Sequence, residues 1–139
     1  MRRFPLLFLF FFITACSTPP LSRPVEGQRP RNVIFLIGDG MGISQVTLAR
    51  LVEGGPSHEL TLDRMPVTGL VRTHALNAWV TDSAASATAL ACGEKTNLFA
   101  VGMGPQDQLL DSLLVGAQKK GQSVGLVTST RITHATPGA

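Results

Sequence analysis

Residues 32–37, Asn32-Val33-Ile34-Phe35-Leu36-Ile37, are apolar and β-rich without alternation. A run of this kind predicts a strand covered on both faces. Gly38, Gly40 and Gly42 end it, and residues 43–52 then take helical spacing, with Ile43, Val46, Thr47, Ala49 and Arg50 as the periodic positions. Gly54-Gly55-Pro56 stops that helix. Residues 67–73 predict a second strand, and the small-residue run 83–92, closed by Gly93, a second helix. Residues 109–120 predict a third helix, with Leu109, Leu110, Leu113, Leu114 and Ala117 along one face and Lys119-Lys120-Gly121 at its end. Residues 124–128 predict a third strand. Strands alternating with helices indicate the α/β class with a doubly wound, mostly parallel sheet. Three strands would leave an open edge, so the sheet is expected to be incomplete in this chain. No internal repeat is visible.

The N-terminus has a different pattern. Met1-Arg2-Arg3 is followed by an unbroken apolar run over residues 6–13. Crossing a bilayer takes about 20 residues, so this shorter run reads as a secretory signal. Ile13-Thr14-Ala15-Cys16 resembles a bacterial lipobox, in which the cysteine is lipidated and becomes the mature N-terminus. Two acyl chains suffice for stable anchoring. The expected organisation is a signal peptide over 1–15, a lipidated tether over 16–31 and a folded portion over 32–139. Pro19, Pro20, Pro24 and Pro30 make the tether extended. The expected location is the periplasmic side of a bacterial envelope, anchored to the outer membrane, as Ser17 after the cysteine resembles outer-membrane sorting. Arg2-Arg3 leaves Sec and twin-arginine export both open. Cys92 is the only other cysteine, so lipidation of Cys16 excludes an intrachain disulfide.

Composition narrows the function classes. Of 139 residues, 44% are hydrophobic and 15% charged, which fits a globular chain. Removing Arg2 and Arg3 with the signal lowers the formal charge from +3 to +1. With that charge, no tyrosine and no basic stripe interleaved with aromatics, nucleic acid is not an expected partner.

Two segments carry candidate chemistry. Asp39 lies between Gly38 and Gly40 at the end of the first predicted strand. The carboxyl ends of strands form the ligand crevice of open α/β sheets, and a carboxylate there can hold a metal. The plain alternative is a turn aspartate bonded to its own backbone. Ser83 opens the small-residue helix, where free N–H groups and the helix dipole favour an anion. The plain alternative is an ordinary N-cap made by Asp82 or Ser83.

Taken together, Ile37-Gly38-Asp39-Gly40-Met41-Gly42 and Val80-Thr81-Asp82-Ser83-Ala84-Ala85-Ser86-Ala87-Thr88-Ala89 resemble the metal-site and nucleophile signatures of the alkaline phosphatase family. Gly93-Glu94-Lys95-Thr96-Asn97 continues the resemblance, as does Val127-Thr128-Ser129-Thr130-Arg131-Ile132-Thr133-His134-Ala135-Thr136-Pro137. The order and rough spacing agree from about Asn32 onward. The resemblance implies two Zn2+ and one Mg2+, with Asp39 bridging one zinc and the magnesium. It implies that Ser83 is the nucleophile and a zinc ligand, forming a phosphoserine, and that Asp82 positions a phosphate-clamping arginine. Thr136 is implied as a magnesium ligand. His134 falls where members carry Asp or His near the magnesium. The implied mechanism is two in-line displacements on a phosphate monoester, with metal ions stabilising the attacking and leaving oxygens in turn. Homodimerisation is a further implication, many members being dimers. His58 and His74 match nothing functional.

The resemblance covers only the opening portion of the family domain. Most zinc ligands, a second magnesium carboxylate and the phosphate-clamping arginine have no counterpart in the sequence. The chain is therefore expected to be the front of a longer product, and inactive and poorly folded alone. A gene remnant, or a non-catalytic envelope lipoprotein, is the alternative. A nucleotide-binding module is a rival, but Gly38-x-Gly40-x-Gly42 has Ile43 where a third glycine belongs. Glu94 also separates the Gly93 and Lys95 that a phosphate loop needs adjacent. A serine hydrolase or penicillin-binding enzyme lacks its Gly-x-Ser-x-Gly or Ser-x-x-Lys signature here.

Overall fold

A computed structural model describes residues 31–139. The expected signal peptide, Cys16 and the expected tether except its last residue, Arg31, lie outside the described residues. The chain divides into two compact units, Met1–Phe35 and Leu36–Ala139. All that follows concerns the second, apart from the strand expected at 32–37.

Four helices form. Helix α1 spans Ile43–Gly54. Gly42 precedes it, and the Gly42 N–H donates to Gln45 Oε1 at 2.9 Å, so the third helical residue closes the first turn. Thr47 bonds back to the Ile43 carbonyl at 2.9 Å. Gly55 ends the helix at φ +86, which a side chain would resist, and Pro56 prevents its continuation. Arg50 then fastens α1 to the chain that follows. Its guanidinium donates to the His58 carbonyl at 2.6 Å and forks onto the Asp63 carboxylate, with the Nη2 arm at 2.9 Å. Asp63 also accepts the Leu60 N–H at 2.7 Å, which starts a short 3-10 turn over Thr61–Arg64.

Helix α2 spans Ser83–Cys92, with the boundaries that the small-residue run predicts. Asp82 caps its start and Gly93, at φ +75, its end. Four of its residues, Ala84, Ala85, Ala87 and Thr88, are buried, and with Ala75 and Thr96 they form the core. Helix α3 (Leu113–Lys119) and helix α4 (Ala135–Gly138) both pack against α2.

Helix α3 is shorter than the expected 109–120. Leu109 forms an antiparallel bridge with Met103, and the Leu110 N–H donates to the Gly102 carbonyl at 2.9 Å. A tight turn through Asp107 (φ +60) thus holds the first two leucines out of the helix, which starts after Ser112.

The expected strands show the larger difference. Among the described residues, no strand ladder forms at 32–37, 67–73 or 124–128, and the bridge at Met103 is the one pairing. Apolar side chains in these segments stand in solvent, Leu70 and Val127 completely so at 103% and 102% exposure. The physical difference from the helices is plain. A helix satisfies its backbone within one segment, whereas a parallel strand takes every ladder bond from a neighbour. Within Leu36–Ala139 these segments find none.

Candidate active site

The site is built around one carboxylate. Asp39 sits in a turn closed by the Met41 N–H donating to the Gly38 carbonyl at 3.1 Å. Gly40 turns the chain at φ +66, a region open to glycine without steric cost. From this turn, Asp39 Oδ1 accepts the Ser83 hydroxyl at 2.8 Å, and Oδ2 accepts the Thr136 hydroxyl, also at 2.8 Å. Asp39, Ser83 and Thr136, three of the residues singled out in the sequence, thus meet from segments 44 and 97 residues apart. Asp39 does not fold back on its own backbone, as the turn-aspartate alternative required.

The electrostatics follow from those bonds. The two hydroxyl donors, Ser83 first and Thr136 second, hold the Asp39 carboxyl below the usual carboxylate range. Slight desolvation opposes them, and a coulombic interaction with His134 adds a smaller lowering. His134 therefore lies within electrostatic reach of Asp39. It precedes α4, and its Nδ1 is buried with no hydrogen-bond partner.

Helix α2 sets the position of Ser83. Asp82 Oδ1 takes the Ala85 N–H at 2.9 Å, and the Ser86 N–H returns to the Asp82 carbonyl at 3.1 Å. Of the first-turn donors that a helix leaves open, those of Ser83 and Ala84 remain for a ligand. The second Asp82 oxygen accepts the Phe99 N–H at 2.9 Å. Asp82 is thus both the N-cap of the plain alternative and an anchor for the 97–100 turn. Among the described residues it pairs with no arginine. Nothing local in the sequence pointed to the contact with Phe99. Thr88 was missed as well, although a β-branched polar residue inside an alanine-rich helix is a visible anomaly.

Other candidates take structural places. The Lys95 ammonium donates to the Arg72 carbonyl at 2.8 Å and to the His74 carbonyl. A lysine committed to two carbonyls is not a phosphate-loop lysine, which weakens the nucleotide-binding rival. The Gly42 N–H, needed for a dinucleotide fingerprint, is already taken by Gln45. His58 and His74 serve through their carbonyls.

The donor set can be tested against metals. Asp39, Ser83 and Thr136 present hard oxygen atoms, which suit a magnesium-type ion, and the orphaned His134 Nδ1 is one nitrogen without a partner nearby. No group of three or more His, Cys, Asp or Glu gathers among the described residues. The set therefore fits part of a magnesium site and falls short of a two-zinc centre, which needs several nitrogen and carboxylate ligands.

The family model described as alkaline phosphatase matches residues 30–139. Alkaline phosphatase 4 of Drosophila melanogaster is 40% identical over 126 residues, covering 81% of this chain and 21% of its own. The human tissue-nonspecific isozyme is 42% identical over 125 residues, covering 78% of this chain and 24% of its own. The crystal structure of a cold-active alkaline phosphatase from the psychrophile Shewanella sp. superposes with a TM-score of 0.67 at 34% identity, over 73% of this chain and 27% of that one. The chain thus spans about a quarter of the length of the relatives it matches.

Proposed function

As the chain belongs to the alkaline phosphatase family, we propose that it carries the nucleophile of a metal-dependent phosphomonoesterase, and that Ser83 accepts the phosphoryl group. The observation that carries this reading is the Asp39 carboxylate gathering the hydroxyls of Ser83 and Thr136. A serine used only as a helix cap has no need of a distant carboxylate.

Each residue then has a task. Asp39, kept ionised by its two donors, fixes the Ser83 hydroxyl in one orientation with its proton held at Oδ1. The Ser83 and Ala84 N–H groups and the α2 dipole favour the phosphoryl oxygens at the helix start. Ser83 Oγ gives up its proton to solvent and forms a bond to phosphorus as the ester oxygen departs and takes up a proton from water. A water then attacks phosphorus, inorganic phosphate leaves, and Oγ regains a proton as the hydroxyl. Asp39, Ser83, Thr136 and His134 are the residues of this chain that would hold metal. Bound zinc and magnesium would supply Lewis-acid stabilisation of the oxygens that gain charge and would lower the hydroxyl pKa.

The test is Ser83→Ala in the complete gene product, with trapping of a phosphorylated serine peptide at acid pH. Phosphate-ester turnover should fall by at least about a thousand-fold, the scale on which a nucleophile acts, and the labelled peptide should vanish. Undiminished turnover in the alanine variant would remove Ser83 from the chemistry.

A further inference from the structure

Ser83 is the first residue of α2, where a helix is held least firmly. The N–H groups of a first turn have no partner inside the helix, and terminal turns fray. A helix of ten residues gains little from its own backbone bonds alone. A nucleophile placed there keeps a fixed direction only if something outside the helix holds that turn.

The turn over residues 97–102 is bonded to α2 on either side of Ser83. At the helix start, the Phe99 N–H donates to Asp82 Oδ2 at 2.9 Å. Further along α2, by about 9 Å of axis, the Thr88 hydroxyl donates to the Ala100 carbonyl at 3.0 Å and accepts the Gly102 N–H at 2.9 Å. A third tie fastens the turn to the chain leading into α2, where the Leu98 N–H donates to Asn77 Oδ1 at 2.9 Å.

Thr88 is the anchor whose placement is least expected. It is fully buried. A helical threonine commonly bonds back to the carbonyl one turn earlier, as Thr47 does to Ile43 in α1. Thr88 directs its hydroxyl off the helix instead and uses it both as donor and as acceptor on the turn. Phe99 shows that the turn needs holding. A bulky side chain at φ +66 is a steric outlier, and it persists only where its surroundings over-determine it.

We propose that Thr88 is a positioning residue for Ser83: by pinning the 97–102 turn it braces the first turn of α2 through Asp82 and keeps the Ser83 hydroxyl on Asp39. This rests on the reading of Ser83 as nucleophile. Without the Thr88 hydroxyl, the turn loses its tie to the body of the helix, and the strain at Phe99 is opposed only from Asp82 and Asn77. The Asp82 carboxylate then moves with the turn, and Ser83 leaves the direction set by its 2.8 Å bond to Asp39 Oδ1. A misplacement of about 1 Å at a reacting group can cost roughly a hundred-fold in rate.

The test separates the number of working sites from the rate of each. In the complete gene product, trapping of phosphoserine at acid pH counts the competent sites, and turnover of methyl phosphate is expressed per counted site. The poor leaving group of that ester makes phosphorylation of the serine the slow step. Thr88→Val keeps the shape and removes the hydroxyl, so its per-site turnover should fall by roughly ten- to a hundred-fold. Thr88→Ser keeps the hydroxyl and should stay within about three-fold of wild type. A threonine with a structural role alone would lower the count of sites and leave the rate of each intact. Asn77 is exposed, so Asn77→Ala loosens the same turn without touching the core. It decides the matter if Thr88→Val yields no labelled site, with an expected loss of at least about three-fold per site. A per-site rate within about two-fold of wild type in the deciding variant, or a serine variant as slow as the valine, overturns the brace and leaves Ser83 in place. If the wild type takes no label at Ser83, the nucleophile and the brace both fall.

Discussion

The two oxygens of Asp82 do separate work, and substitutions can divide them. Asp82 Oδ1 caps α2 through the Ala85 N–H, and Oδ2 holds the Phe99 N–H, each at 2.9 Å. Serine is as good an N-cap as aspartate but too short to reach a second partner, so Asp82→Ser should keep the cap and lose the turn. The cost is that of one charge-assisted hydrogen bond in a half-buried setting, about 1.5 kcal/mol. Asp82→Ala loses the cap too, a further ~1 kcal/mol, for about 2.5 kcal/mol in all by adding the two. Asp82→Asn has one carbonyl oxygen for two N–H donors and should fall near the serine variant. The expected order of destabilisation is alanine first, then asparagine and serine together. Denaturant midpoints at constant m-value in the complete gene product give the sizes. Amide exchange gives the places: the serine variant should deprotect Phe99 and spare Ala85, and the alanine variant should deprotect both. Slow exchange at Phe99 in the serine variant, or at Ala85 in the alanine variant, would refute this division of roles.

Three further outcomes follow from other parts of the chain. The fork from Arg50, and then the Leu60 N–H, lower the Asp63 carboxyl from 3.8 to about 2. A depressed folded pKa stabilises above the unfolded value and loses that contribution as pH falls, so acid titration from pH 4 to 2 should loosen α1 in the wild type. Asp63→Asn should be already loosened at neutral pH and flat across that window; identical acid profiles would count against the clasp. Separately, Cys16→Ala should abolish incorporation of labelled fatty acid and release the protein from the membrane fraction; continued labelling would show that lipid is attached elsewhere. Finally, the purified 139-residue chain should bind a hydrophobic dye strongly through its exposed apolar segments and show no zinc-dependent phosphatase turnover. Measurable zinc-dependent turnover would contradict that expectation.

What the sequence made legible divides along the source of each element's hydrogen bonds. Helix α2 was readable to the residue because its cap, its small residues and its terminal glycine all lie within one stretch. Helix α1 was nearly so, since Gly55 and Pro56 set its end. The strands were readable only as composition. Residues 32–37, 67–73 and 124–128 have the apolar content of buried strands, but their bonds must come from partners that no local pattern names. The loss of Leu109 and Leu110 from α3 has a related cause, because a bridge to Met103 and a bond to Gly102 outcompete the helical face. At the site, motif resemblance singled out Asp39, Ser83 and Thr136, but it could not say that one carboxylate receives both hydroxyls. Nor could it give Asp82 its second partner, since the link to Phe99 crosses 17 residues of irregular chain.

The way the site is held explains why it forms without a sheet ladder among the described residues. Asp39 is delivered by a glycine turn, Ser83 by the first residue of α2, and Thr136 by α4. None of these placements depends directly on strand pairing. They depend on α4 lying close against α2, and the buried positions of α2 are alanines and one threonine. Small side chains let helix axes approach, as the ridges that would separate them are absent. Larger residues on the side of α2 that faces α4 would push that helix away, and the 2.8 Å bond from Thr136 to Asp39 leaves little room for such a shift. The alanine-rich sequence after Ser83 is therefore part of the geometry around the nucleophile, because its small side chains fix how near the third segment can come.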